Sequence, residues 1–329
     1  MNILLIGGYR FVGRAIIEAA KARGHRVTAF NRALNWPAQI DDVELIQGDR
    51  HRDLERLADR RWDVAIDTNA YTPANVSALT STLANQIDHY TLISSLSVYA
   101  WPVPPGTREN APVSLLEADA DPEADIPETY GARKALCEGA ASTVMPGRTL
   151  ALRAGMIVGP HDYLDRFTYW LERCAGASDF IAPGDPGRQL QLIDALDLAT
   201  WTLTLAEERY SGTLHATGPT NGIMRMKDLI DACSVATGGL SRPIWVDDSR
   251  LEQLGIAPDS DLPYWIPAAE NGLFEIDLSA ARARGLVTRP LLETARRTYA
   301  WVQTRKNGSR NRGLSLESEA ELIAKLRAP

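Results

Sequence analysis

Short apolar runs alternate with amphipathic stretches along the first half of this 329-residue chain. Six runs have the length and composition of buried β-strands, and a seventh run follows later. They cover residues 3–6, 27–30, 43–46, 64–66, 91–93, 150–152 and 213–216. Strands that are separated by helices pair in parallel through right-handed crossovers. The pattern therefore predicts an α/β protein built on a doubly wound parallel sheet.

The first predicted strand runs into a glycine turn that opens a helix. The turn consists of Gly7, Gly8, Tyr9, Arg10, Phe11, Val12 and Gly13. Glycines let the backbone approach a phosphate closely, and the free N–H groups of a helix N-terminus attract an anion. Arg10 occupies the central glycine position of the G-x-x-G-x-x-G spacing. In this context the turn predicts a dinucleotide-binding site of Rossmann type, with all seven residues near the cofactor.

The end of the second predicted strand bears on the choice of cofactor. An acidic residue there would bind the adenosine ribose hydroxyls and repel a 2′-phosphate. This chain has Asn31 and Arg32 instead, and Arg10 adds a second guanidinium. The sequence thus predicts NADP(H), with NAD(H) as the alternative. Asp49 is expected to meet the adenine and Asn69 to line the cofactor channel, although each could simply cap a helix.

A second constellation is suited to proton transfer. Tyr130 and Lys134 lie one helical turn apart, and Ser95 ends the fifth predicted strand. A tyrosine with an ordinary pKa of about 10 is a poor base, and a nearby ammonium is expected to lower that pKa. Ser95 would orient a substrate oxygen against the phenol. These three residues are therefore the predicted catalytic group.

Several motifs together resemble the extended short-chain dehydrogenase/reductases, and more narrowly the NAD-dependent epimerase/dehydratase family. The matching segments are residues 7–13, 94–99, 130–134, 153–160 and 197–199. The resemblance implies a Rossmann fold, a nicotinamide cofactor and hydride transfer at a ketone or secondary alcohol. It places Ser95 at the catalytic serine position and Ser94 beside the cofactor. It also implies Lys134 on the nicotinamide ribose and a homodimer, which no other feature of the sequence indicates.

The chain departs from the relatives in this family that act on nucleotide sugars. Those relatives carry arginines that bind the pyrophosphate, where this chain has Leu190 and the segment 270–272. Met156 replaces an asparagine. The sequence therefore predicts a substrate that is not a nucleotide sugar, although Arg188 is close enough to substitute. The predicted substrate residues are Ser97, Met156, Tyr163 and Arg166; Arg166 would anchor an anionic group or pair with Asp162 or Asp165.

The regular alternation of predicted strands and helices becomes less clear after residue 155, where aromatic residues, proline and glycine are more frequent. We predict a dinucleotide-binding domain at 1–155, with a segment returning near 185–220. Residues 156–329 would form mainly a smaller substrate-binding lobe and a C-terminal helix near 316–326. The polar basic stretch 305–312 is interpreted as a solvated linker.

Composition excludes several other classes of protein. The net charge of −7 argues against a nucleic-acid surface. The first apolar run is too short for a secretory or membrane segment, so a soluble cytoplasmic protein with a small-molecule substrate is expected. Cys137, Cys174 and Cys233 are widely spaced and read as buried thiols. The histidines are scattered, and the pair His161-Asp162 has no second histidine nearby, so no metal is predicted.

Three functional hypotheses remain open at this stage. The favoured one is an NAD(P)-dependent oxidoreductase that consumes its cofactor. The second is an epimerase or dehydratase, which returns the hydride and retains the cofactor. The third is a non-catalytic NADP-binding or RNA-binding protein, because the glycine turn also resembles that of the chloroplast stem-loop-binding proteins.

Overall fold

The computed structural model describes residues 1–34, 42–124, 126–305 and 312–327. Thirteen strands occur in these ranges: β1 (Asn2–Ile6), β2 (Arg26–Asn31), β3 (Val43–Gln47), β4 (Trp62–Asp67), β5 (Ile87–Ser95), β6 (Thr149–Ala154), β7 (Met156–Val158), β8 (Phe180–Pro183), β9 (Gln189–Leu190), β10 (Leu192–Asp194), β11 (Gly212–Ala216), β12 (Met224–Arg225) and β13 (Pro243–Val246). The helices are α1 (Phe11–Ala22), α2 (Pro73–Thr82), α3 (Tyr130–Val144), α4 (Arg166–Ala175), α5 (Ala195–Glu207), α6 (Met226–Thr237), α7 (Asp248–Gln253), α8 (Ser279–Ala283), α9 (Leu291–Val302) and α10 (Leu316–Arg327).

The central sheet has seven parallel strands in the order β11-β6-β5-β4-β1-β2-β3. All seven predicted strands are present in it, and the α/β fold class is confirmed. The chain begins in the middle of the sheet and winds outward first on one side and then on the other. The strand order therefore reverses next to β1, where a crevice opens at the carboxyl ends of the strands.

Helices cover both faces of this sheet. Along β1, Ile3 and Leu5 pack into one hydrophobic cluster with α1 and α5, whereas Leu4 and Ile6 pack into another with α2 and α3. A strand that is covered on both faces reads as a continuous apolar run, which is why this one was readily predicted. Ala15, Ile16, Ala19 and Ala20 are buried on α1, and Gly24 lies just beyond the end of the helix.

A separate cluster of apolar side chains forms after β6. It gathers aromatic residues from α4 and the 264–274 segment, among them Trp170 and Trp265, together with side chains of α6, α9 and α10. Three two-stranded ladders, β7–β10, β9–β12 and β8–β13, lie in this part of the chain. β11 returns to the central sheet beside β6. The division into two domains stays a prediction.

Two further expectations concern individual segments. The predicted C-terminal helix is found as α10, and part of the predicted basic linker (306–311) lies outside the described residues.

All three cysteines belong to the described part and are buried free thiols, as expected. Among the described residues, none of the helices is both long and apolar enough to cross a membrane.

Candidate active site

The glycine turn after β1 has a backbone that other residues could not adopt. Gly7 and Gly8 have φ values of +103° and +88°, a region that L side chains rarely occupy. A Cβ on Gly13 would lie 2.5 Å from the Cα of Gly8, so the first turn of α1 packs directly against the loop. The turn thus brings the N-terminus of α1 to the crevice, as a dinucleotide phosphate requires. These residues fit the predicted cofactor.

Asn31, at the end of β2, hydrogen-bonds the backbone of the glycine turn. Its side-chain amide donates to the carbonyl oxygen of Gly7 at 2.7 Å, and its side-chain oxygen accepts from the N–H of Ala33 at 2.8 Å. The residue therefore fastens the glycine turn to the loop that follows β2. Arg32 is exposed at the same edge, where its guanidinium lowers the pKa of Asp49 as a minor contribution.

The side chain of Arg10 extends from the glycine turn toward Tyr163. Its guanidinium carbon lies 5.6 Å from the centre of the Tyr163 ring, within the range of a cation–π contact. Tyr163 is 44% exposed and follows β7. After burial, Tyr163 is a smaller influence that raises the pKa of Tyr130, so the two phenols lie near each other.

Asp49 and Asn69 lie at the same edge of the sheet, after β3 and β4. The carboxylate of Asp49 accepts from the N–H of His51 at 2.9 Å, which lowers the pKa of the carboxyl. Asn69 is exposed, and its N–H donates to Asp67 at 2.9 Å. Both residues lie at the carboxyl ends of parallel strands, and their contact with a cofactor stays a prediction.

A buried ion pair supports this loop, and sequence reasoning missed it. Arg50 makes a bidentate contact to Asp67 at 3.2 and 2.9 Å, and Tyr90 donates to the same carboxylate at 3.0 Å. Arg50 also binds the carbonyl oxygens of Asn69 and Asn75. The guanidinium thus connects the end of β4 with the first turn of α2.

The three predicted catalytic side chains come together at the carboxyl end of β5. Tyr130 begins α3 and Ser95 ends β5, and the Ser95 hydroxyl lies near enough to the phenol to lower its pKa. Lys134 follows one turn later and is 3% exposed. Its ammonium donates to the carbonyl oxygens of Ala70 at 2.9 Å and Ile93 at 2.8 Å. The ammonium is therefore held under the crevice, between the ends of β4 and β5.

Gly131 explains how Tyr130 approaches Ser95. A Cβ at this position would overlap the carbonyl oxygen of Ser97, which belongs to the short 3₁₀ turn after β5. Only a glycine lets the first turn of α3 pack this closely against that backbone. The Tyr-Gly pair in the sequence is thus a packing requirement. It brings the phenol to the end of β5.

Protonation in the site differs from the expectation in one respect. Burial raises the pKa of Tyr130, and the nearby Ser95 hydroxyl only partly opposes that effect. The net lowering of this pKa expected from the sequence is wrong, because burial outweighs the influences that lower it. Burial also lowers the pKa of Lys134. At neutral pH the phenol is therefore protonated and suited to donate a proton.

Ser94 lies one residue before Ser95 and is buried. Its hydroxyl donates to the carboxylate of Glu138 at 2.6 Å. Glu138 also accepts from Arg153 of β6 at 2.7 Å, in a buried ion pair. Sequence reasoning did not identify this pair. The feature of the sequence that could have indicated it is the position of Glu138, one helical turn beyond Lys134.

The predicted substrate residues differ in their surroundings. Met156 of β7 packs against the aromatic cluster, and Ser97 donates its backbone N–H to Ser95 at 3.1 Å. Arg166 pairs with Asp259 at 2.9 Å, instead of with Asp162 or Asp165. The partner lies 93 residues away, which local sequence could not indicate. The guanidinium is thus already engaged by a carboxylate.

The pair His161-Asp162 forms no metal site. His161 packs against Trp301 with ring centres 5.1 Å apart, and burial lowers its pKa to about 4. Asp162 accepts from the N–H of Leu164. Within the part of the chain that the structure describes, no group of three or more His, Cys, Asp or Glu side chains is arranged to hold a metal.

Comparison with solved structures identifies this arrangement of elements. The UDP-glucuronic acid 4-epimerase from Bacillus cereus, solved with NAD, matches with a TM-score of 0.68 and 16% identity over 94% of this chain and 98% of that one. The UDP-Glc/GlcNAc 4-epimerase from Campylobacter jejuni matches with a TM-score of 0.69 and 14% identity, over 92% and 99%. The chain has the fold of these epimerases. At the level of the fold, the resemblance predicted from the motifs is confirmed.

A curated relative matches at the level of sequence. It is the 2-alkyl-3-oxoalkanoate reductase of Stenotrophomonas maltophilia (strain K279a), 32% identical over 182 residues. The alignment covers 49% of this chain and 52% of the relative, so the chain spans about half the length of this relative. No family model matches the chain.

Proposed function

We propose that this protein is an NAD(P)-dependent oxidoreductase that transfers hydride between its cofactor and a ketone or secondary alcohol. The observation that carries the proposal is the contact between Tyr130 and Ser95 above the buried ammonium of Lys134. These groups lie at the same sheet edge as the glycine turn. The NAD complexes among the similar solved structures support a nicotinamide cofactor, and the name of the curated reductase supports the reaction class.

Each catalytic side chain has a role that follows from its position. When bound, the nicotinamide supplies or accepts the hydride. Tyr130 donates its phenolic proton to the carbonyl oxygen of the substrate during reduction, and Ser95 holds that oxygen by a hydrogen bond. The ammonium of Lys134 stabilises the phenolate that remains, since an opposite charge favours the ionised form. Because the phenol is protonated at neutral pH, we expect reduction to dominate there.

The substrate proposed here is a 3-oxo acid or a similar ketone, and not a nucleotide sugar. Leu190 occupies the position at which the family's nucleotide-sugar enzymes share an arginine. Its side chain is 1% exposed and belongs to the aromatic cluster. Arg188, the alternative pyrophosphate ligand, already binds Asp248 at 2.6 Å and the carbonyl oxygen of Ile266 at 3.0 Å. A pyrophosphate without cationic partners would be poorly held.

Cofactor consumption separates the two enzymatic candidates. We expect a 2-alkyl-3-oxo acid to oxidise the reduced cofactor stoichiometrically, which the absorbance of the reduced nicotinamide records. The epimerase alternative is favoured by the solved relatives. It predicts instead that a UDP-sugar is converted with no net change in the cofactor. The ketone proposal is wrong if the sugar is converted and no ketone is reduced.

The cofactor proposed is NADP(H), and Arg32 provides a direct test. Replacing Arg32 by alanine should remove a charged contact to the 2′-phosphate, which is worth about 1.5 kcal/mol, so KM for NADPH should rise about tenfold. KM for NADH should stay the same. Arg26→Ala, at the opposite end of β2 and also exposed, is the matched control. An unchanged NADPH/NADH ratio in the Arg32 variant would refute the assignment.

A further inference from the structure

Glu138 lies on the same stripe of α3 as Tyr130 and Lys134. The three residues follow one another at intervals of four, so each lies one turn from the next. The carboxylate points to the central sheet, where it meets two neighbouring strands. Ser94 of β5 donates to it at 2.6 Å, and Arg153 of β6 at 2.7 Å. Ser94 and Arg153 are directly paired in the ladder between those strands.

We propose that Glu138 is a positioning residue for the site formed by Ser95, Tyr130 and Lys134. Its carboxylate ties α3 to the end of β5 and places a negative charge beside the buried ammonium. The catalytic role of Glu138 rests on the proposed function, whereas its contacts with Ser94 and Arg153 are the same whatever the substrate is. Without this tie, α3 and β5 would be joined near the site by fewer directional contacts.

The network around Glu138 extends away from the crevice. Arg153 also donates to the hydroxyl of Tyr99 at 2.7 Å, and Tyr99 donates to Nε2 of His215. Nδ1 of His215 donates to the carbonyl oxygen of Asp277 at 2.9 Å, which fixes the tautomer of the ring. Arginine does not release its proton in proteins. The network therefore holds Glu138 in place and does not conduct protons.

The electrostatic part of the proposal concerns the surroundings of Lys134. Burial is the largest influence and lowers the pKa of the ammonium, while Cys137, Asp67 and Glu138 raise it and Arg50 lowers it. Asp67 is already paired with Arg50 at 2.9 Å. Glu138 is 10% exposed in its side chain, so water screens its charge little. The carboxylate thus helps to keep the ammonium charged.

The chain offers a direct readout, because it contains five lysines. With ¹³C-labelled lysine, each ammonium gives its own NMR titration, and Lys134→Arg assigns the buried one. We expect Glu138→Gln to lower the pKa of Lys134 by about one pH unit or more. Arg153→Gln leaves the carboxylate unpaired and should raise that pKa. Loosened packing alone cannot shift the Lys134 pKa downward in one variant and upward in the other. If one variant does not fold, the direction of the shift in the other still tests the proposal.

Glu128→Gln serves as the matched control. It removes the same charge two residues before Tyr130, from an exposed position, and should leave Lys134 unchanged. If Glu138→Gln shifts the Lys134 titration no more than this control, or if Arg153→Gln shifts it downward, the proposal is overturned. These outcomes do not depend on turnover.

Turnover tests the catalytic part separately. With a 2-alkyl-3-oxo acid and NADPH, Glu138→Gln should lower kcat at least about tenfold with little change in KM, because misplaced reacting groups cost rate more than binding. Glu138→Asp retains the charge and should recover part of kcat. Equal kcat in wild type and Glu138→Gln contradicts the positioning role. A wild type that reduces no ketone contradicts the proposed function instead, while the NMR result still decides whether Glu138 controls Lys134.

Discussion

Replacing Tyr130 by phenylalanine should reduce kcat/KM for ketone reduction by about 10²–10⁴-fold, because the proton donor is removed and the ring is kept. This loss corresponds to about 3–5 kcal/mol of transition-state stabilisation. Affinity for NADPH should change little, since the glycine turn and the ammonium of Lys134 are untouched. The comparison of kcat/KM with the cofactor Kd, measured by titration of the protein fluorescence, separates the two effects.

A tyrosine outside the crevice gives the matched control for this variant. Tyr299→Phe removes one hydroxyl from α9 and should leave turnover within about twofold of wild type, as is usual for positions away from the chemistry. If Tyr130→Phe reduces ketones as fast as wild type, the phenol is not the proton donor. The proposed mechanism would then be wrong even if another group performs the reduction.

The second large effect is expected at Gly131. Replacing it by alanine forces a methyl group into the carbonyl oxygen of Ser97, so α3 must move away from the end of β5. Overpacking of this kind lowers the free energy of unfolding by about 1–3 kcal/mol. Tyr130 moves with the helix, and a displacement of about 1 Å is enough to cost about 10²-fold in kcat. Chemical denaturation and steady-state kinetics measure the two losses.

The same helix contains the control for this substitution. Gly139 is exposed on α3, and a Cβ there would meet nothing within 4 Å. Gly139→Ala should therefore raise the free energy of unfolding by about 0.5–1 kcal/mol and leave kcat unchanged. Two identical substitutions eight residues apart should thus have opposite effects on stability. A Gly131→Ala protein with full activity would show that the close approach is not needed.

The regular part of the fold was predictable because apolar periodicity records burial on both faces. The strands were nevertheless longer than predicted where buried polar residues interrupt the pattern. β5 includes His89 and Tyr90, which look exposed in sequence. Inside the protein His89 hydrogen-bonds the carbonyl oxygen of Tyr210, and Tyr90 donates to Asp67. A polar side chain can be buried once a distant partner satisfies it, and that partner is not visible locally.

The same reason limited the prediction of the site. Ser95, Tyr130 and Lys134 could be chosen because their spacing and the end of a strand are local signals. Glu138 and Arg153 were missed because their pairing depends on how α3 lies across β6. The pKa of Tyr130 was expected to fall, since only its helical neighbour Lys134 could be considered. The structure adds burial, which acts in the opposite direction.

The contact between Asn31 and Gly7 restricts how this protein could be redesigned. The obvious route to an NAD-preferring protein is to place a carboxylate at the end of β2, as in proteins that bind the ribose hydroxyls. At position 31 an aspartate oxygen would face the Gly7 carbonyl oxygen, where an amide now donates at 2.7 Å. The two oxygens would repel each other and open the turn. Engineering of coenzyme preference should therefore begin at position 32 and leave the asparagine unchanged.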